Sequence, residues 1–162
     1  MMGKSVNLYF TDFFMTIINA HIEHLNLIAP LFDAYRVFYK QKSDIETCKI
    51  FLHERFKNNE SVIYLAIKDQ KAVGFTQLYP LFSSVSMQRM FILNDLYVDS
   101  SCRNEGVGEA LMNKAKELCI GLNYKGLGLQ TAQDNPAQKL YERLGFEIDP
   151  DLQYFWTNTN LK

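Results

Sequence analysis

The sequence predicts a mixed α/β fold on a mostly antiparallel sheet, and three observations carry that expectation. Apolar residues recur at three- and four-residue steps through residues 22–56, which is a helical period. From Ser61 to Val98 β-rich runs replace it, joined by short polar links that suit antiparallel hairpins. Beyond Val98 helical and strand patterns alternate, which allows one parallel βαβ crossover. Counted along the chain, this gives a six- to seven-stranded sheet flanked by about four helices.

The elements follow in order. Residues 1–14 form an N-terminal extension. Lys4 and the run from Val6 to Ala20 resemble a weak export signal, but Asn7, Thr11, Asp12 and Asn19 interrupt any apolar core. A short strand is expected at 15–18 and a helix over 22–39, whose face is Ile22, Leu25, Ile28, Ala29, Phe32, Tyr35 and Phe38. Ser43, with Glu46 three residues on, reads as the capping box of a second helix. Strands at 62–67, 72–81 and 87–98 come next, the first two joined by a hairpin at 68–71. A helix over 107–122 precedes a strand at 126–131. Pro136 opens a helix over 136–144 that Gly145 ends, and strands at 146–148 and 153–157 close the chain.

Bulk properties narrow the function. A chain of 162 residues fits a single domain, 1–162, and 48% hydrophobic with 22% charged residues is globular composition. A formal net charge of -1 offers no basic excess for nucleic acid or an acidic membrane, and neither partner is expected. The three cysteines, Cys48, Cys102 and Cys119, have no metal-ligand spacing and an odd count. No disulfide framework and no metal are expected, and the compartment is read as cytoplasmic.

Chemistry concentrates between Ile92 and Gly108. A strand ending Asn94-Asp95-Leu96-Tyr97-Val98 leads through Asp99-Ser100-Ser101-Cys102 into Arg103-Asn104-Glu105-Gly106-Val107-Gly108 and then a helix. Backbone N–H groups at a helix start lack helical partners, the macrodipole favours negative charge, and glycines admit a ligand close to the backbone. Arg103 adds a charge-assisted donor. The ligand should carry phosphate. Glu109-Ala110 stand where a P-loop needs its Lys-Ser/Thr pair, and two late glycines do not make a dinucleotide fingerprint. By themselves the two glycines equally suit a tight turn.

The spacing R-x-x-G-x-G after Leu96-Tyr97-Val98, followed by Ala137-Gln138-Lys139-Leu140-Tyr141-Glu142-Arg143-Leu144-Gly145-Phe146, resembles the GCN5-related N-acetyltransferase (GNAT) superfamily. Phe38-Tyr39-Lys40 and Leu93 to Val98 are similar to its histone/polyamine- and diamine-type branch. The resemblance implies a sheet whose central parallel strands splay apart, acetyl-CoA as co-substrate and transfer to an amine. The backbone of Leu96, Tyr97 and Val98 would hold the pantetheine arm, in the manner of an added strand. Arg103 and the amides of Asn104, Glu105, Gly106, Val107 and Gly108 would hold the pyrophosphate. Tyr141 would protonate the departing thiolate, which suits a phenol of pKa about 10.

Three departures from the family pattern stand out. Asp134 occupies the offset where an asparagine is usual, so that either Asn135 reaches the cofactor arm instead or the contact changes. Cys102 replaces an aromatic or histidine. Asn94 replaces a glutamate common in diamine-type relatives, and asparagine cannot accept a proton. A base is needed, because an amine of pKa about 10.4 is neutral only to the order of one part in a thousand at pH 7. Asp95 is the local candidate, with an ion pair to Arg89 as the competing role. Strand alternation places Asn94 and Asp95 on opposite faces.

The resemblance implies an acceptor pocket lined by the first two helices and the last strands, where Tyr35, Phe38, Tyr39, Tyr79, Tyr154 and Trp156, with Asp33, Asp44 and Glu46, would either surround a small primary amine or pack as core. The apolar tail Tyr154-Phe155-Trp156 suits a homodimer edge. A binding module without turnover and a protein or peptide acetyltransferase are the alternatives at this point.

Overall fold

Among the described residues five strands form one sheet in the order β1-β2-β3-β4-β5: β1 Met15–Asn19, β2 Val62–Lys68, β3 Lys71–Ser83, β4 Gln88–Val98 and β5 Leu127–Gly128. The first four pair antiparallel, and β5 joins β4 in parallel after the crossover helix. This computed structural model describes residues 15–151 and 153–159; the extension read at 1–14 lies outside them. The chain forms two compact units, one through Gln130 and one from Thr131.

In the first unit, α1 (Leu25–Phe38) and α2 (Ile45–Lys57) pack together on one face of the sheet. Ile28, Ala29, Leu31 and Phe32 from α1 and Cys48 and Leu52 from α2 meet Ile63, Leu65 and Phe75 there. Helix α3 (Val107–Gly121) buries Val107, Leu111, Met112, Ala115 and Cys119, and it packs on strands β1 to β4. Tyr64, between Ile63 and Leu65 on β2, points toward Lys114 and Glu117 of α3, so the period of two assigns α3 the opposite face. Among its described residues the second unit carries one helix, α4 (Gln138–Arg143).

Local chemistry explains the boundaries. Asp69 and Gln70 both have positive φ, 49° and 63°, as a two-residue type I′ turn between β2 and β3 demands. The expected single helix at 22–39 starts as a 3-10 turn, Ile22–His24, before α1 proper. The cap of α2 is Asp44, not Ser43: Asp44 Oδ1 accepts from Thr47 N at 3.0 Å. Ser43 instead donates its hydroxyl to Asp33 Oδ2 at 2.6 Å. Pro136 falls in the turn before α4 and not at its first position.

The strand count differs from the expected six to seven. Strand β5 is two residues long, and neither 146–148 nor 153–157 forms a strand among the described residues. Tyr154, Phe155 and Trp156 are at least 80% exposed, and a strand pattern makes a strand only when a ladder partner lies beside it.

Candidate active site

Strands β4 and β5 share only two residue pairs, Phe91 with Leu127 and Ile92 with Gly128. Among the described residues β4 has no parallel ladder partner from Leu93 to Val98, so its backbone on that side makes no ladder there. This is the splay expected of the central parallel strands. At its end Asp99 N donates to Val73 O, and Asp99 Oδ1 accepts from Ser101 N and Ser101 Oγ, at 2.9 and 2.6 Å. Those two donors hold the Asp99 carboxyl below the usual carboxylate range.

The turn into α3 has the backbone that an anion cradle requires. Asn104 and Gly106 adopt positive φ, 62° and 81°, and the helix starts at Val107 without a side-chain cap. Arg103 Nε donates to Val98 O at 3.1 Å, and the guanidinium lies 5.9 Å from the centre of the Tyr97 ring. Glu105 turns away to pair with Lys68 at 2.5 Å. Sequence reasoning missed Gly74 on β3. A Cβ there would lie 2.8 Å from Tyr97 O and 3.2 Å from Val107 Cγ1, so glycine lets the start of α3 sit close against this strand.

One residue of β4 is out of register. Gln77 pairs with Asp95 and Leu78 with Leu93, leaving Asn94 as a bulge. The bulge overturns the expected alternation: Asn94 Nδ2 donates to Asp95 Oδ1 at 3.1 Å, so the two side chains meet. Asp95 is 5% exposed, and burial raises its pKa against the hydrogen bonds from Asn94 and Tyr35, which lower it. Its main-chain oxygen accepts from Thr76 Oγ1 at 2.9 Å. Arg89, the competing ion-pair partner of Asp95, lies over the Phe82 ring at 4.7 Å instead. Nearby Tyr79 has its pKa pushed up to about 12, by burial first and then by the Asp95 charge.

The other acidic residues expected around an amine are engaged elsewhere. Asp33 is buried, accepting from Ser43 Oγ and from Asp44 N at 2.7 Å, and its pKa is lowered first by Ser43. Asp44 caps α2, and Glu46 pairs with Lys49 at 2.9 Å. Of the aromatics, Tyr35 approaches the bulge, with its hydroxyl 3.4 Å from Asn94 O, while Phe38 and Tyr39 are exposed. Cys102 is half-buried, and Cys48 and Cys119 are buried thiols whose pKa values burial raises.

The second unit holds Asn135 and Tyr141. Asn135 Oδ1 accepts from Ala137 N at 2.9 Å, which ties this side chain into the turn before α4. Helix α4 ends in a Schellman motif: Gly145 N donates to Glu142 O and Phe146 N to Tyr141 O, both at 3.0 Å. Gly145 takes the left-handed φ of 82° that this closure needs. The motif seats Phe146 beside Tyr141, with ring centroids 6.3 Å apart. The spacing Tyr-x-x-x-Gly-Phe is therefore a helix-end device that orients the tyrosine.

The family model described as "Acetyltransferase (GNAT) family" matches residues 26–146. The chain belongs to the GNAT acetyltransferase family. It is 44% identical over 149 residues to YhfO, an uncharacterized N-acetyltransferase of Bacillus subtilis, across 91% of this chain and 100% of that one. A crystal structure of a probable acetyltransferase superposes with a TM-score of 0.83 at 40% identity, covering 91% of this chain and 99% of that one. An aminoglycoside N-acetyltransferase, AAC(6')-Iy, solved in complex with CoA, matches at a TM-score of 0.78 and 18% identity, covering 93% and 99%. That last likeness is one of fold. As a GNAT chain, the protein is an acyltransferase. Among the described residues no helix is long and apolar enough to cross a membrane.

Proposed function

We propose that this GNAT chain is an acetyl-CoA-dependent N-acetyltransferase acting on a primary amine of a small molecule. The observation that carries the reading is the buried Asp95 carboxyl, placed by a bulge on the strand whose parallel ladder with β5 ends at Ile92.

The β4 backbone beyond that ladder suits a pantetheine arm along Leu96, Tyr97 and Val98, although Val98 O is already engaged by Arg103. The amides of Asn104, Glu105, Gly106, Val107 and Gly108 suit the pyrophosphate, and the Nη groups of Arg103 supply charge. Asn135 has its Nδ2 to offer the cofactor arm. When bound, the thioester supplies the acetyl group. Asp95 takes a proton from the acceptor ammonium, leaving the nitrogen lone pair available for attack. A carboxyl with a raised pKa is better matched to this task than an ordinary surface aspartate. Tyr141 returns a proton to the departing thiolate.

The CoA complex and aminoglycoside acceptor named for the AAC(6')-Iy structure support the cofactor and a small-molecule amine. The family match over residues 26–146 supports reading the chain as a single acetyltransferase domain in sequence. The exposed Tyr154, Phe155 and Trp156 support a homodimer, which a monomer in sedimentation at micromolar concentration would exclude.

Calorimetry with acetyl-CoA, followed by thiol release against a panel of amines, tests the reading. Binding with release on one amine class establishes it. Binding without release on any amine favours a sensor, and release on a peptide lysine alone favours a protein acetyltransferase. An absence of binding removes the assignment of Arg103 through Gly108.

A further inference from the structure

We propose that Tyr35 is the positioning residue that ties helix α1 to the bulge of β4 and, through Asn94, fixes the hydrogen bond to the Asp95 carboxyl. The proposal rests on reading Asp95 as the proton acceptor.

The geometry starts with the ring. Tyr35 is packed edge-on by Tyr39 at 5.0 Å, Phe75 at 6.1 Å and Tyr97 at 6.4 Å, with Phe32 at 6.5 Å. A ring held on several sides has little rotamer freedom, so its hydroxyl has a defined position. That hydroxyl lies 3.4 Å from Asn94 O, the carbonyl of the residue that the bulge leaves without a cross-strand partner. Through Asn94, whose side-chain amide donates to Asp95 Oδ1 at 3.1 Å, this contact reaches the Asp95 carboxyl, 60 positions along the chain.

The surroundings of Asp95 make this contact consequential. Asn94 donates from β4. Strand β3 contributes Gln77, the cross-strand partner, and Tyr79, whose own charge neighbours are Asp95, Arg55 and Glu60. Gln77 spends its Nε2 on Ser61 Oγ at 2.8 Å, and its buried Oε1 is an acceptor that cannot stabilise a carboxylate. Asn94 is therefore the donor seen on the carboxyl, Tyr35 holds that donor by its carbonyl, and both lower the Asp95 pKa. A buried carboxylate that must be ionised to accept a proton depends on such donors. Proton transfer breaks an N–H bond of the ammonium and forms an O–H bond on Asp95; the nitrogen keeps the electron pair. Losing the Tyr35 hydroxyl loosens the Asn94 donor, which favours the protonated carboxyl in advance and leaves fewer enzyme molecules competent. Because Tyr97 lies on the cofactor strand and touches the same ring, Tyr35 connects three parts of the site.

Tyr35→Phe tests this, since it keeps the ring and removes only the hydroxyl. Carboxyl-carbon NMR of aspartate-labelled protein should show Asp95 titrating at higher pH than in wild type. On the acidic side of the pH profile kcat/KM should fall about tenfold, the order expected for losing a hydrogen bond to a charged group, and it should rejoin wild type within about twofold on the plateau. A merely structural tyrosine would lower the melting temperature without moving either titration. An Asp95 signal that titrates as in wild type overturns the proposal. Wild-type kcat in Asp95→Asn would instead remove the proton-acceptor reading, and the NMR titration would still decide whether Tyr35 holds the carboxyl.

Discussion

The side-chain amide of Asn94 donates to the carboxyl of its neighbour Asp95 across 3.1 Å, a contact that an unbroken strand does not allow. The bulge at Asn94 turns two adjacent side chains toward each other. An asparagine that cannot itself accept a proton thereby helps the next residue keep its charge.

Asp95→Asn should separate activity from stability. Removing a general base costs about 10²- to 10⁴-fold in turnover. Burial raises the Asp95 pKa above its unfolded value, so its stabilising contribution is complete below the unfolded pKa and is lost as pH rises through the folded one. Above the folded pKa the ionised, buried carboxylate is therefore a burden. The variant should melt at or above the wild-type temperature at pH 7, with about 2–4 °C for each kcal/mol gained, and the gap should close in acid. Thermal melts across pH check the sign; a lower melting temperature at pH 7 would show that Asp95 is a structural anchor.

Acid should loosen the junction between α1 and α2. Asp33 gathers Ser43 Oγ, Asp44 N, Cys48 Sγ and the Arg36 guanidinium, and its pKa is lowered. A lowered folded pKa gives stability that is present above the unfolded value of about 3.9 and lost as pH falls through the folded one. Asp33→Ala should cost about 0.5–1.5 kcal/mol for each of the Ser43 and Asp44 hydrogen bonds lost, since both donors are exposed enough to take water instead. Asp33→Asn should flatten the acid dependence, read as urea midpoints between pH 2 and pH 6. Unchanged midpoints would assign the acid response to Asp44 and Asp99 instead, which are lowered too.

Gly74 on β3 and Gly106 in the turn before α3 should fail differently. Gly106 has a φ of 81°, and a Cβ added there would meet open space, so Gly106→Ala carries only backbone strain, about 1–2 kcal/mol. Gly74→Ala places a Cβ 2.8 Å from Tyr97 O, where backbone must give way. Calorimetry with acetyl-CoA should show the greater loss of affinity in Gly74→Ala. Equal losses would mean that the strand edge adapts freely.

Much of this was legible in the chain. Long periodic segments gave four helices and the main strands, because burial of a face imposes a period on the residues. The glycine turn and the Tyr141 helix end were legible because positive φ and Schellman closure demand particular residues. The bulge was not, since a slip of register leaves the local composition unchanged; the one hint was Asn-Asp, two poor strand formers side by side. Ser43 and Asp44 both suit a cap, and only the position of Asp33 decides between them. Gly74 lies in an ordinary β pattern, and its role depends on α3, which follows some thirty residues later. The closing strands were overcounted because an apolar run such as Tyr154-Phe155-Trp156 does not say whether a partner strand lies beside it.

Tyr141→Phe should lower turnover far more than it weakens acetyl-CoA binding. The change keeps the ring, so its packing against Phe146 and the closure around Gly145 survive, and only the hydroxyl is lost. A general acid acts when the thiolate leaves, so its removal falls on kcat and leaves ground-state affinity near wild type. About 10²-fold or more in kcat with a Kd within about threefold is expected. A more acidic leaving thiol needs less protonation, so a thioester analogue of lower thiol pKa should recover part of the loss. Gly145→Ala is the control, because strain at a φ of 82° disturbs the helix end without touching the hydroxyl. If both variants lose kcat and affinity together, the tyrosine is a packing residue and the proton must come from elsewhere.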